Sequence, residues 1–276
     1  MRPISTEGFE PIRDRADDPA PILQWIKVTD LVVDPAYQRP IIGEGRRNVD
    51  RIARDFRWSY FAPVVVAPVE GGKFAIIDGQ HRTTAAAVVG IESVPCQVVI
   101  APRHQQAAAF KAINGATTPI NRMALHAAAL VAKEPAVVEL TEACTSAGVE
   151  LLRYPVPLER QSPGQTMAIG ALAFARRRYG RDTLVAALRC FTRSSNNRAG
   201  ALTARMIKAV CEVLHRNPSW QVSGIQLLAA VDKVDFGEVE KRALAQAARE
   251  GLGRLRSVAD ALERELAARL RRQAAE

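Results

Sequence analysis

The run Ile76-Ile77-Asp78-Gly79-Gln80-His81-Arg82 constrains this chain more than any other stretch. Two β-branched residues favour an extended backbone, and the Asp-Gly pair favours a tight turn. Thr83-Thr84-Ala85-Ala86-Ala87 with Gly90 behind it predicts a short helix over 83–89 that stops at a glycine. A strand running through a tight turn into a helix leaves the first backbone N–H groups of that helix pointing one way. Together with the helix dipole they favour an anion. Gly79 permits the turn and a close approach. The Arg82 guanidinium matches phosphate oxygens two at a time, and Thr83 and Thr84 add hydroxyl donors. His81 can donate a hydrogen bond or take a proton. Asp78, last on the strand, is placed to hold a metal, orient His81 or act as a base. Asp78 and His81 are therefore the candidate catalytic groups, and Gly79, Gln80, His81, Arg82, Thr83 and Thr84 the candidate phosphate-binding groups. The plainer alternative is a structural turn with a capped helix.

The surrounding segments alternate strand and helix signals up to residue 100. Ile26, Val28, Leu31, Val32 and Val33 predict an extended segment that Asp34-Pro35 ends. Val49, Ile52, Ala53 and Phe56 recur at spacings of three and four and predict a helix over 47–57, with Arg47, Arg51, Arg54 and Arg57 on another face. Strands are expected over 62–69, 73–77 and 94–100, the first two joined at Gly71-Gly72.

Beyond Pro102 the signals are helical: 105–113, 122–133, 135–147 with Pro135 in its first turn and Gly148 as its stop, 165–179, 182–191 with Asp182 as N-cap, and 200–215. In the stretch Phe236 to Gln273, Leu252, Leu255, Val258, Leu262, Leu266 and Leu270 form an apolar stripe without a strict heptad. Such a stripe fits packing within the chain better than a partner helix, with a homodimer through it as the alternative. The expected organisation is a loose arm over 1–21, an α/β domain over 22–102 and an all-α helical domain over 103–276. Pro155, Pro157 and Pro163 mark a linker near 153–164.

With 276 residues, 48% of them hydrophobic, the chain buries a core unaided. No apolar run is long enough for a transmembrane helix, so no membrane partner is expected. The first twenty residues lack the apolar stretch of a secretory signal, and a cytoplasmic location is expected. Cys96, Cys144, Cys190 and Cys211 are too scattered for a zinc site or a disulfide framework and are expected as buried thiols. No metal ligand set is expected.

The net charge is +9, and its distribution matters more than its total. Between Arg153 and Arg216 twelve Lys/Arg face only Glu159, Asp182 and Glu212, while the flanking regions are close to neutral. Localised positive charge suits a polyanion, because affinity for phosphate chains comes largely from counterion release. Arg176, Arg177, Arg178, Arg181, Arg193 and Arg198 are the expected nucleic-acid contacts, with Asn196 and Asn197 beside them. A helix-turn-helix would fit within 165–216. Aromatic residues are only 5%, so base-stacking platforms are expected to be few.

Several of these segments, taken in order, resemble one known family. Tyr37-Gln38-Arg39-Pro40 resembles the Q-x-R or Q-R-P box after a first strand, Val49-Asp50-Arg51-Ile52-Ala53 the following helix, and Pro63-Val64-Val65-Val66 the next strand. Asp78-Gly79-Gln80-His81-Arg82 with Ala85-Ala86 takes the place of a G-E-R-R-x-R-A box, and Gly90-Ile91-Glu92-Ser93-Val94-Pro95-Cys96 that of a closing G-hydrophobic-x-x-I-P strand. Residues 22–100 are thus similar to the N-terminal domain of the ParB/sulfiredoxin-like superfamily, in its D-G-Q-H-R variant.

The resemblance implies an α/β fold with a nucleotide-phosphate site at the 78–84 turn, and it adds Gln38 and Arg39 as phosphate-binding candidates. ParB proteins use this site for a nucleoside triphosphate clamp on DNA, sulfiredoxins for ATP with a catalytic cysteine, and relatives that phosphorylate free serine use a D-G-x-H-R version. Gln80 stands where the sulfiredoxin cysteine would be, so that chemistry is not expected. Gln80 and His81 replace the Glu and Arg of the ParB box, while Gly79 and Arg82 are retained.

Three functions follow as expectations. The first is a DNA-associated ParB-like protein that binds a nucleoside triphosphate with Mg²⁺, or another phosphate ligand, at the turn and contacts nucleic acid through its basic helical half. The second is a phosphotransferase, nucleotide hydrolase or nuclease using Asp78, His81 and Arg82. The third is a non-catalytic dimerising module.

Overall fold

The computed structural model describes residues 1–11, 19–115 and 121–273, and the chain forms two compact units, Met1–Thr118 and Pro119–Glu276. Part of the arm expected over 1–21 lies outside the described residues. Residues 1–11 carry neither helix nor strand and are exposed.

The first unit is built on a mixed five-stranded sheet. Its strands are β1 (Ile22–Lys27), β2 (Leu31–Val32), β3 (Val64–Val69), β4 (Lys73–Asp78) and β5 (Ser93–Val98), in the order β1-β5-β3-β4-β2. β3 and β4 form an antiparallel hairpin, and both glycines of its turn take positive φ, Gly71 at 74° and Gly72 at 71°. β1 pairs antiparallel with β5, while β5 with β3 and β2 with β4 pair in parallel.

Period-two burial fixes the face of β5: Val94, Cys96 and Val98 point inward, with Ser93, Pro95 and Gln97 half-buried between them. In β4, Ala75, Ile76 and Ile77 are all buried, as expected of a strand covered on both faces. The core of this unit gathers Ile26, Phe61, Val64, Val66, Ile76 and Val94.

Three helices complete the unit. Helices α1 (Glu44–Arg54) and α2 (Gln80–Val88) pack on each other, and α3 (Arg103–Gly115) packs on β4. Arg57 falls beyond the end of α1, so it leaves the arginine face predicted with it. α2 begins at Gln80, three residues before the predicted start, which turns three of the five residues of the D-G-Q-H-R run into helix. The boundary between units falls after α3, whereas the sequence places it before. The Tyr37 hydroxyl donates to Gln106 Oε1 at 3.2 Å, Arg103 pairs with Asp34 at 2.6 Å, and the rings of Tyr37 and Phe110 lie 5.8 Å apart. A helix tied down in this way belongs to the sheet it covers.

The second unit is helical: α4 (Arg122–Val131), α5 (Pro135–Ser146), α6 (Ile169–Tyr179), α7 (Arg181–Thr192), α8 (Ala204–Arg216), α9 (Pro218–Val222), α10 (Gly224–Asp232), α11 (Phe236–Glu250) and α12 (Arg254–Gln273). α8 lies at its centre, packed against α6, α7 and α12. Caps define several helix starts: Asn121 accepts from the Ala124 amide at 2.8 Å, Thr203 from Met206 at 3.2 Å and Asp235 from Glu238 at 3.1 Å.

Four readings change in this unit. The all-helical expectation gains a parallel pair of two-residue strands, β6 (Glu150–Leu151) and β7 (Gln165–Thr166), so α6 starts later than predicted. The proline-rich 153–164 segment is the loop that joins these strands within the unit. Asp182 is not an N-cap; Gly180 precedes the helix, and Asp182 sits in its first turn. The 236–273 stripe is broken at Gly251, φ +66°, into α11 and α12. Val258, Leu262 and Leu266 are fully buried against the unit's own helices, which is the packing within the chain that the stripe favours.

All four cysteines are buried free thiols. Burial raises Cys96 to about 11 and Cys144 and Cys190 to about 12. Among the described residues no helix is long and apolar enough to cross a membrane.

Candidate functional site

The strand, turn and helix predicted around residue 79 are present. β4 ends at Asp78, Gly79 turns the chain at φ +108°, and α2 starts at Gln80 with no side chain capping it. Only glycine fits at the turn. A Cβ there would stand 3.1 Å from Arg82 Nη2 and 3.1 Å from Val64 Cγ1, in a left-handed conformation. The first amides of α2 have no intrahelical acceptor by geometry.

This helix start opens on a cavity of about 760 Å³ that lies wholly within the first unit. Its walls are aromatic: Tyr37, Phe56, Tyr60, Phe61 and Phe110 line it. Five of the chain's aromatic residues thus converge on one site. A second cavity, of about 860 Å³, continues past Arg39, Asn48, Arg51 and His81, which line both, toward Arg47.

The charges around the main cavity divide into paired and unpaired. Asp78 Oδ2 accepts from Arg82 Nη2 at 3.0 Å, and the same nitrogen donates to the Pro63 carbonyl at 3.2 Å. Asp55 pairs with Arg57 at 3.1 Å, and Arg57 also lies over the Tyr60 ring, 5.6 Å from its centre. Arg39 and Arg51 are exposed and have no carboxylate partner among the described residues; Arg51 donates only to Asn48 Oδ1, at 2.7 Å. The positive charge available to a ligand therefore belongs to Arg39 and Arg51.

Several predicted roles change. Arg82 is turned back onto the protein, with its Nε buried and unpartnered, so it is not a free clamp. Asp78 would have to give up this ion pair to act as a base. Gln38 is buried, and its Nε2 donates to the Ile76 and Ile77 carbonyls at 3.2 and 2.9 Å, so it braces the end of β4. Thr84 Oγ1 donates to the Gln80 carbonyl inside α2 at 2.9 Å, and Thr83 is buried away from the cavity.

Gly79, Gln80 and His81 line the cavity. The His81 ring packs on the first turn of α1, where a Cβ at Gly45 would come within 3.1 Å of its Nε2. Among the described residues no three His, Cys, Asp or Glu side chains gather as metal ligands. The sequence reading missed Arg51, Asn48 and the aromatic walls as site residues. The arginine face predicted for α1 was the signal for Arg51; the aromatics carried none, because they are brought in from separate segments.

The expected nucleic-acid contacts divide in the same way. Arg176 pairs with Glu139, and Arg198 with Asp235 at 2.9 Å, so both are engaged within the second unit. Arg177, Arg178, Arg181 and Arg193 are exposed, with no carboxylate partner among the described residues. Asn196 is buried, where it cannot reach a base or phosphate. In α7, Thr183, Leu184, Val185, Ala187, Leu188, Cys190 and Phe191 are buried.

One family comparison finds a match within the first unit. Residues 57–114 match the ParB N-terminal domain. The ParB match spans the β3–β4 hairpin, α2, β5 and nearly all of α3, and so includes the 78–82 turn; Gln38, Arg39 and Arg51 lie outside it. The ParB-like resemblance and the architecture of an α/β unit followed by a helical unit both stand. No curated protein matches the chain.

Solved ParB structures are similar at long range. A C-terminally truncated chromosome-partitioning protein ParB from Caulobacter crescentus, complexed with CTP-gamma-S, is 15% identical. It covers 67% of this chain and 98% of its own, at a TM-score of 0.38. The same protein complexed to the centromeric parS site is 14% identical over 87% of this chain and 99% of its own, at 0.27. A Pnob8-like ParB-N domain is 16% identical over 91% and 97%, at 0.29. At such TM-scores these likenesses carry no argument about ligand or partner.

Proposed function

We propose that the ParB-like unit binds a nucleotide in the aromatic-walled cavity at the start of α2, and that the helical unit contacts nucleic-acid backbone. One observation carries the first half: Arg39 and Arg51, both without carboxylate partners, share a cavity with the uncapped start of α2. Unpaired guanidiniums beside free helix amides favour phosphate, and the aromatic walls offer a base its stacking surface. A triphosphate would bring its own Mg²⁺, since both carboxylates lining the cavity, Asp55 and Asp78, are already paired.

The second half rests on Arg177, Arg178, Arg181 and Arg193 in the segment that holds the charge excess. Calorimetric titration of the full chain with each common nucleoside triphosphate, with and without Mg²⁺ and duplex DNA, tests both halves. Saturable nucleotide binding and salt-sensitive DNA binding are expected. Heats no larger than dilution for every nucleotide would remove the first half, and DNA binding unchanged in an Arg177/Arg178/Arg181/Arg193→Ala chain would remove the second.

A further inference from the structure

The main cavity does not end at its own walls. Arg39, Asn48, Arg51 and His81 line it and also line the second cavity, so the two form one groove within the first unit. The second part, about 860 Å³, is no smaller than the first, about 760 Å³, but differs in character. Tyr37, Phe56, Tyr60, Phe61 and Phe110 line the first part alone, and Arg47 the second alone. Arg47 is exposed and has no carboxylate partner among the described residues. Among the described residues, Glu44 is the one carboxylate lining the second part, against Arg39, Arg47 and Arg51.

This cationic wall is unfavourable on its own. Arg47 and Arg51 stand four apart on α1, a spacing at which like charges repel and weaken a helix. An anion lying along the groove removes that repulsion. A single nucleotide suits the aromatic part, which by itself has the volume of an ordinary small-molecule site. It gives Arg47 and the second part no role.

Resting on the nucleotide reading above, we infer that the groove takes a single nucleic-acid strand: one unstacked base enters the aromatic part, and the phosphates beyond it run past Arg51 and Arg39 to Arg47. Rings joined to a cationic groove hold a single strand through stacking and backbone charge, without base-specific bonds. A duplex keeps its bases paired and stacked on each other, so it can offer this groove phosphates but no free base. These residues are distinct from the exposed arginines of the second unit, which gives the first unit a nucleic-acid site of its own.

The test uses the full chain carrying Arg177/Arg178/Arg181/Arg193→Ala, in which the second unit's exposed arginines no longer contribute. Fluorescence anisotropy follows a labelled oligothymidylate of about twelve residues, and calorimetry follows thymidine triphosphate, both with Mg²⁺. The strand is expected to bind tighter than the triphosphate by roughly tenfold or more. Excess triphosphate should displace it, because the two share the rings. Arg47→Ala should weaken strand binding by roughly fivefold and lower the slope of log affinity against log salt by about 0.7, with triphosphate affinity unchanged.

A strand bound no tighter than the triphosphate would overturn the inference and leave the nucleotide reading intact. So would a salt slope untouched by Arg47→Ala, a strand that the triphosphate cannot displace, or a duplex of the same length that binds as well as the single strand. If neither the strand nor any common nucleoside triphosphate binds, the nucleotide reading falls and the inference with it.

Discussion

Arg82 reaches back one helical turn to Asp78, its Nη2 3.0 Å from Oδ2, and the two side chains are equally buried, each about a quarter exposed. This pair joins the end of β4 to the first turn of α2 and occupies the guanidinium that the sequence offers to an anion. Asp78→Asn should free that guanidinium and remove a negative charge from the cavity wall. Phosphate or nucleotide affinity should rise by roughly fivefold, with a loss of about 1 kcal/mol of stability. Isothermal titration and urea denaturation of the same variant measure the two. Weaker binding would mean that Asp78 itself serves the ligand.

Arg51 should dominate ligand affinity. It lines both cavities, and among the described residues its guanidinium is held by Asn48 alone. Arg51→Ala should cost about 1.5–3 kcal/mol of nucleotide binding, the range for a charge-assisted bond, and leave the melting temperature nearly unchanged because the residue is exposed. Arg54→Ala, on the same helix but outside both cavities, is the control.

Gly79→Ala should destabilise the first unit by about 1–3 kcal/mol. The added methyl would meet Arg82 and Val64 at 3.1 Å while holding φ at +108°. Equilibrium denaturation measures the loss, and a melt unchanged within error would show that the turn relaxes freely.

The tie between α3 and the sheet should loosen in acid. Hydrogen bonds from Arg103, then from the Ala36 amide, hold Asp34 at about 2, below the ordinary 3.8. A carboxyl whose pKa is lowered by folding stabilises the fold above its unfolded value and loses that contribution as pH falls through its folded one. Amide exchange in α3 should therefore accelerate between about pH 4 and pH 2. Asp34→Asn should remove that pH dependence, and a variant that keeps it would place the titrating group elsewhere.

Asn196→Ala should cost the second unit about 3 kcal/mol, because one buried amide serves three backbone groups. Its Nδ2 donates to the Val231 and Val234 carbonyls at 3.3 and 3.0 Å, and its Oδ1 accepts from the Phe236 amide at 3.0 Å. Thermal melting measures this, and affinity for DNA per folded molecule should not change.

The elements that were legible in the sequence are those whose signals are local. The Gly71-Gly72 hairpin, the strand into the 79 turn, the Pro135 helix start and the Gly90 and Gly148 stops all depend on backbone preferences within a few residues. The site was legible only along β4 and α2. Whether Arg82, Arg176 and Arg198 are free or paired depends on Asp78, Glu139 and Asp235, and two of those three partners are far away in sequence. Gln38 was correctly placed near the turn, but the direction of its amide depends on carbonyls about forty residues away. The α3 boundary was missed for the same reason: Asp34 and Tyr37 hold that helix, and no feature of residues 103–115 announces them.

The strand order has a consequence for how the molecule is made. The β3–β4 hairpin joins neighbours in sequence, but β1 touches the sheet only through β5, Ile22 opposite Val98. On a ribosome, the first strand with its exposed Leu23 and Trp25 must wait unpaired until the fifth has been synthesised. Pairing of β1 can thus come only after β5 has emerged, and until then its apolar side chains stay uncovered.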